Sequence, residues 1–184
     1  MQTITITGHL GSGKSTIAKM LAKQLNIPHY STGDAQREIA RQMGLTTLEL
    51  NHLADQDPSI DEKIDGVFKT LDKAGKPYVI DSRLAWHFMP HSFKVKLEVS
   101  PQTAAERIFA DKSRTGECLY TSVDEALKTL LQRRQSETTR FQKTYNIDIE
   151  KNDHFDLVLD TTTLSPQEIC SAILTAYRQV NPLS

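Results

Sequence analysis

Short segments in which β-branched residues alternate with polar ones recur along the chain, and longer segments of helical period separate them. Ile4 and Ile6, interleaved with Thr3, Thr5 and Thr7, predict a first strand. Ile17, Met20, Leu21 and Leu25 then share one face of a helix. Pro28-His29-Tyr30 predicts a short second strand, and Tyr78-Val79-Ile80, after the turn-like Gly75-Lys76-Pro77, a buried third. Phe93, Val95, Leu97 and Val99 alternate with Lys94, Lys96 and Glu98, which predicts a fourth strand with one wetter face. Leu157-Val158-Leu159 predicts the fifth.

Helix starts are marked by their caps. Ser100-Pro101 sets a cap before a proline at the first helical position. Ser122-Val123-Asp124-Glu125 and Ser165-Pro166-Gln167-Glu168 both read as capping boxes. The last of these opens a helix that buries Ile169, Ala172, Ile173, Ala176, Tyr177 and Val180. Such alternation predicts an α/β fold, a parallel five-stranded sheet with helices on both faces. Residues 32–75, between the second and third strands, read as all-helical and highly charged. That is long for a crossover, so an inserted helical subdomain is expected there.

Composition narrows the class. A chain of 184 residues is one domain's length, and 38% hydrophobic with 24% charged residues fits a globular protein in water. Lys+Arg 22 against Asp+Glu 23 leaves a net charge of -1, which gives no electrostatic case for a nucleic acid polymer or an anionic membrane. No stretch approaches the roughly 18 apolar residues of a membrane span. The N-terminus lacks the pattern of a secretory signal. Cys118 and Cys170 form no C-x-x-C, so neither a zinc site nor a disulfide framework is expected, and a reducing cytoplasm fits. The expectation is a cytoplasmic single-domain protein acting as a monomer.

The candidate chemistry begins at Gly8-His9-Leu10-Gly11-Ser12-Gly13-Lys14-Ser15, followed by Thr16, which matches the phosphate-loop pattern G-x-x-x-x-G-K-[ST]. Its glycines let backbone N–H groups turn onto phosphate oxygens, and the helix behind adds its positive end. Lys14 can reach the β- and γ-phosphates, and the Ser15 hydroxyl can ligate Mg²⁺. ATP and Mg²⁺ are therefore the expected ligands. Asp81, at the end of the third strand, is the candidate carboxylate for the Mg²⁺ site. There is no N-K-x-D motif, which counts against a guanine-reading switch. His9 is expected to face solvent, and the other histidines show no metal-ligand spacing.

Ser31-Thr32-Gly33-Asp34-Ala35-Gln36-Arg37 follows the second strand and sets Arg37 one turn inside a helix at the sheet's carboxyl edge. Asp81-Ser82-Arg83 supplies a second arginine beyond the third strand. Two guanidiniums can hold one phosphate through paired donors. Further basic residues, Arg107, Lys112, Arg114, Arg133, Arg134 and Arg140, fall where a lid of about 107–143 would close over the site. Arg133 and Arg140 share a helical face, with Glu137 between them. Phosphoryl transfer relies on such charge, whereas a plain i,i+4 salt bridge there would contribute only about 0.3–0.5 kcal/mol.

Together these segments resemble the nucleoside monophosphate kinases, and most closely the archaeal-type cytidylate kinases. Ser82-Arg83-Leu84-Ala85-Trp86, Asp57-Pro58-Ser59-Ile60-Asp61, the 133–140 segment, Tyr145-Asn146-Ile147-Asp148-Ile149 and Phe155-Asp156-Leu157-Val158-Leu159-Asp160-Thr161 carry the likeness. The resemblance implies a core with a helical insert for the monophosphate and a short lid. It implies transfer of the γ-phosphoryl group of ATP to a nucleoside monophosphate, CMP or dCMP. Thr32, Gly33, Arg37 and Arg83 would bind the acceptor, while Arg107, Arg133 and Arg140 would act with Lys14 on the transferring group. Asn51, Asp55, Asp57 and Asp61 are the polar residues available to read the base. Ser31-Thr32-Gly33-Asp34 is the adenylate-kinase wording, so adenylate kinase or another small-molecule kinase stays open. So does a non-catalytic nucleotide switch. Trp86 is expected in the core.

Overall fold

The computed structural model describes residues 1–111 and 120–181; Lys112, Arg114 and Cys118 lie outside the described residues. Five parallel strands, β1 (Ile4–Gly8), β2 (His29–Ser31), β3 (Val79–Asp81), β4 (Phe93–Glu98) and β5 (Leu157–Asp160), lie in the order β2-β3-β1-β4-β5. The parallel five-stranded expectation is borne out. Ile4 sits in register with Val79 on one side and Phe93 on the other. The chain runs from β1 out to β2 on one flank, whereas β4 lies on the opposite flank. The topology therefore reverses beside β1, and a crevice opens at the strands' carboxyl ends.

The period-2 pattern sends β1 side chains to two unlike faces. Ile4, Ile6, Val95 and Leu97 pack with Ile17 and Leu21 of α1 (Lys14–Leu25) and Ile169 and Ile173 of α8 (Pro166–Val180). Toward the other face, Thr5 meets Ser92 at 3.0 Å and the Thr7 hydroxyl donates to the Arg83 carbonyl at 3.0 Å. Here Ile80 packs on Phe68 of α4 (Ser59–Lys73) and on Ala85 of the short α5 (Ala85–Phe88). Trp86 is buried with Leu84, Phe141, Ile147 and Ile149.

The wetter face expected of β4 is dry at its middle. Lys96 is 3% exposed, and its Nζ donates to the Glu150 carbonyl at 2.8 Å and to Asn152 Oδ1 at 2.6 Å. The segment after α7 (Val123–Tyr145) returns over the strand and supplies these acceptors, which period-2 patterning could not foresee.

Between β2 and β3 stand α2 (Thr32–Met43), α3 (Thr47–Ala54) and α4, packed about Ala40, Leu50, Ala54, Ile60 and Ile64. The remaining helix, α6 (Pro101–Ala110), starts on Ser100, whose hydroxyl accepts from Thr103 N–H at 3.1 Å. Ser165 and Glu168 form the full box predicted for α8. At α7 only half of the expected box is made. Ser122 caps Glu125 N–H, but the Glu125 carboxylate bonds Thr121 instead, at 2.7 Å.

Candidate active site

The loop that joins β1 to α1 is shaped by its glycines. Gly11 and Gly13 have φ of 81° and 85°, left-handed values that favour glycine. A Cβ on Gly11 would also lie 2.7 Å from the Ala104 carbonyl oxygen. Gly13 caps α1 without any side-chain bond, which leaves the helix's first N–H groups turned toward the crevice. That is an anion cradle. Lys14, Ser15, Thr16, Asp81 and Arg133 line one cavity of about 400 Å³ beside it. Thr32, Gly33, Arg37 and Arg83 line the same cavity, with Thr47 and Asp111.

Asp81 ends β3 beside Ile6 and is 1% exposed. Ser31 Oγ donates to one carboxylate oxygen and His29 Nε2 lies on the other, each at 3.1 Å. Burial pushes this carboxyl up, but the His29 bond, the Lys14 ammonium and the Ser15 hydroxyl outweigh it and hold it below the usual carboxylate range. An ionised carboxylate beside a hydroxyl, both hard oxygen donors, suits Mg²⁺ once phosphate oxygens complete the shell. No group of three or more His, Cys, Asp or Glu able to hold a metal occurs among the described residues. The residues present thus fit a cation that arrives with the nucleotide's phosphates. His29 was not among the expected site residues; its place beside β3 Asp81 is a pairing across strands that motif reading does not contain.

Arg37 pairs with Asp34 at 2.5 Å, one turn back on α2. Arg83 is held at both ends. Its carbonyl accepts from Thr7 and from Trp86 Nε1, while its guanidinium donates to the Gly8 carbonyl and, from Nε, to Glu137 at 2.8 Å. The second Glu137 oxygen accepts from Arg133 Nε at 2.9 Å. Glu137 is 2% exposed. Burial opposes its charge, yet Arg83 and Arg133 together hold its carboxyl far below the usual range. Sequence reading saw Glu137 only as an i+4 neighbour of Arg133. In the fold it joins Arg83, just beyond β3, to Arg133 on α7.

Several expected residues stand elsewhere. Arg140, expected at the transferring phosphoryl group, is 7% exposed and binds Asp61 at 2.7 Å, Asp55 at 2.5 Å and Asn51 Oδ1 at 3.1 Å. Those carboxylates of the helical insert capture it because the Arg140 side chain reaches across from α7 to α3 and α4. Arg107 braces the loop from behind, donating to the Thr161 carbonyl at 2.7 Å and to the Gly11 carbonyl at 3.4 Å. Asp57 is exposed, lies outside the cavity lining, and accepts from Ser59 N–H at 3.0 Å at the start of α4. His9 does not face solvent. Its side chain is 16% exposed and its Nε2 lies 3.1 Å from Glu150.

A glycine cradle facing cations at the carboxyl edge of a parallel sheet defines the class as one whose site suits a chain of phosphates. The family model for the cytidylate kinase-like family matches residues 3–163, and the chain belongs to that family. The resemblance read from its motifs is thereby borne out. The cytidylate kinase of Natronomonas pharaonis is 36% identical over 181 residues, covering 97% of this chain and 91% of that protein. The S-adenosylmethionine-dependent nucleotide dehydratase of Lacinutrix mariniflava is 35% identical over 182 residues, covering 98% of this chain. The chain spans only 37% of that protein's length. Among solved structures, shikimate kinase from Acinetobacter baumannii superposes with a TM-score of 0.62 at 16% identity, covering 100% of this chain and 96% of that one. At that identity the likeness is one of fold. No described helix is long and apolar enough to cross a membrane.

Proposed function

We propose that this protein transfers the γ-phosphoryl group of ATP to a nucleoside monophosphate, with CMP or dCMP preferred. The observation that carries this reading is that Lys14 and Ser15 on one side, and Arg37 and Arg83 on the other, line a single cavity. A donor chain of phosphates on the glycine cradle and an acceptor phosphate on the arginines would then meet in line. An acceptor phosphate oxygen forms the new P–O bond as the β–γ bridging bond breaks, and ADP leaves with the electron pair. Mg²⁺, held with Ser15 and Asp81, would supply charge neutralisation on the donor phosphates. Lys14 and Arg133 contribute fixed positive charge where negative charge develops, and neither need move a proton.

For the base, the support is the cluster one turn beyond the cavity. Thr47 lines the cavity, and Asn51 follows four residues on along α3, where Arg140 gathers it with Asp55 and Asp61. A carboxylate in such a setting accepts from the cytosine N4 amine and would face an acceptor in uracil, a mismatch worth large discrimination. The curated relatives, cytidylate kinases and a nucleotide dehydratase, also favour a nucleotide over a smaller acceptor.

One coupled assay tests this across AMP, CMP, dCMP, UMP and GMP with ATP as donor. The expected result is the highest kcat/KM for CMP or dCMP, with Lys14→Ala lowering kcat at least about 100-fold. Best turnover of AMP would overturn the base assignment alone. ATP binding without transfer to any acceptor would favour the nucleotide switch.

A further inference from the structure

The first two residues of the glycine loop are each tied to α7, one at Glu137 and the other at Arg134. The Gly8 carbonyl accepts from Arg83, which shares Glu137 with Arg133. The next residue, His9, meets Glu150, whose two oxygens accept from Arg134 Nε at 3.0 Å and Nη2 at 2.5 Å. Glu150 is itself anchored. Its carbonyl accepts from Lys96 of β4 at 2.8 Å, and its N–H donates to Asp148 at 3.0 Å.

We propose that His9 and Glu150, with Arg134, form a tether whose role is to hold α7 at the roll that aims Arg133 into the phosphate cavity. Both are positioning residues, and the proposal rests on the kinase reading above. Glu137 and Arg134, where the two ties meet the helix, leave it about 60° apart. The C-terminal half of α7 is already held, by Arg140 on the insert's carboxylates and by Tyr145 on Asp65, and the two ties add a hold on its roll nearer Arg133. A roll of roughly 10° moves a group about 6 Å from the axis by about 1 Å. Misplacement on that scale can cost about 100-fold in rate. Burial first, then Arg83 and Arg134, pull the His9 pKa down to about 4. Near neutral pH the ring is therefore uncharged and donates its Nε2–H to the carboxylate. Its Nδ1, buried and without a partner among the described residues, is then a bare acceptor.

The test is steady-state kinetics of Glu150→Ala and His9→Ala with ATP and the best acceptor of the panel. The expected result is a kcat about 10- to 100-fold lower, with both KM values changed less than about threefold. His9→Gln, which can place an amide N–H near the same point, should restore most of the rate. In an Arg133→Ala background, Glu150→Ala should cause little further loss, because the tether acts through Arg133. If Glu150→Ala does not fold, His9→Ala carries the same reading. A kcat within twofold of wild type in the folded variants overturns the proposal, as does an undiminished loss in the Arg133→Ala background. Absence of transfer by the wild type would instead overturn the kinase reading. The tether is still read in that case by nitrogen NMR of His9, expected as the neutral Nε2–H tautomer at pH 7 and as a mixture in Glu150→Ala.

Discussion

The two faces of the sheet both hold apolar clusters and differ in the buried charge that one of them adds. Toward α1 and α8, Ile4, Ile6, Val95, Leu97, Ile17, Leu21 and Ile173 meet with no charged partner in the cluster. Toward α7, the chain buries Glu137, Arg140, Lys96, Asp61 and Asp65, each with an ionic or hydrogen-bonded partner. Apolar packing is non-directional and tolerates small shifts, so it suits a scaffold. Buried charge is costly unless geometry is met, so it fixes side-chain positions at the expense of robustness. The first face supports the loop; the second aims the groups around it.

Glu137→Ala should break the comparison hardest. It leaves Arg83 and Arg133 without their shared carboxylate, and removing one partner of a buried pair typically costs about 3–5 kcal/mol. Urea unfolding should show that loss, and kcat should fall with it. Similar stability and rate in wild type and variant would mean that the charged face is no more demanding than the apolar one.

Ile173→Ala probes the other face. Ile173 is fully buried on α8, and its truncation should cost about 2–4 kcal/mol by denaturant midpoint. Because it lies behind the sheet from α7, kcat under native conditions should stay within about twofold. A large drop in kcat in the folded variant would show that both faces govern the site.

Asp65 gives the smallest and most selective effect. Burial pushes its carboxyl from 3.8 up to about 7, against the Tyr145 hydroxyl that donates to it at 3.0 Å. A raised carboxylate pKa means that the protonated form is the one the fold favours. Its stabilising contribution is complete below about pH 4 and is lost as pH rises through about 7. Asp65→Asn keeps an acceptor for Tyr145 and cannot ionise. It should be about 2 kcal/mol more stable than wild type at pH 8.5, roughly half of what the full shift would give, and equal to it near pH 4. Unfolding curves at the two pH values check this; a pH-independent difference would locate the effect in packing rather than charge.

The strands, the capped helices α6 and α8, and the glycine loop were legible in the sequence because each is marked by a pattern within a few residues. Period-2 alternation marks β1, a serine before proline marks α6, and glycines of φ 81° and 85° can be inferred from a loop that must turn its N–H groups inward. Arg37 and Arg83 were legible for a related reason. Each follows a strand end by a few residues, and all parallel strands end at one edge.

What tertiary structure alone decided is which charges meet. Arg83 and Glu137 are 54 residues apart in the chain, Arg140 and Asp61 79, and His9 and Glu150 141. Arg133 and Arg140 read alike on one helical face, yet one lines the phosphate cavity and the other is captured by the insert's carboxylates. A guanidinium's reach is several ångströms in any direction, so its partner is settled by which element packs beside it. The glycine loop is written locally; the charges around it are placed by side chains reaching across from α7 and the segment after it.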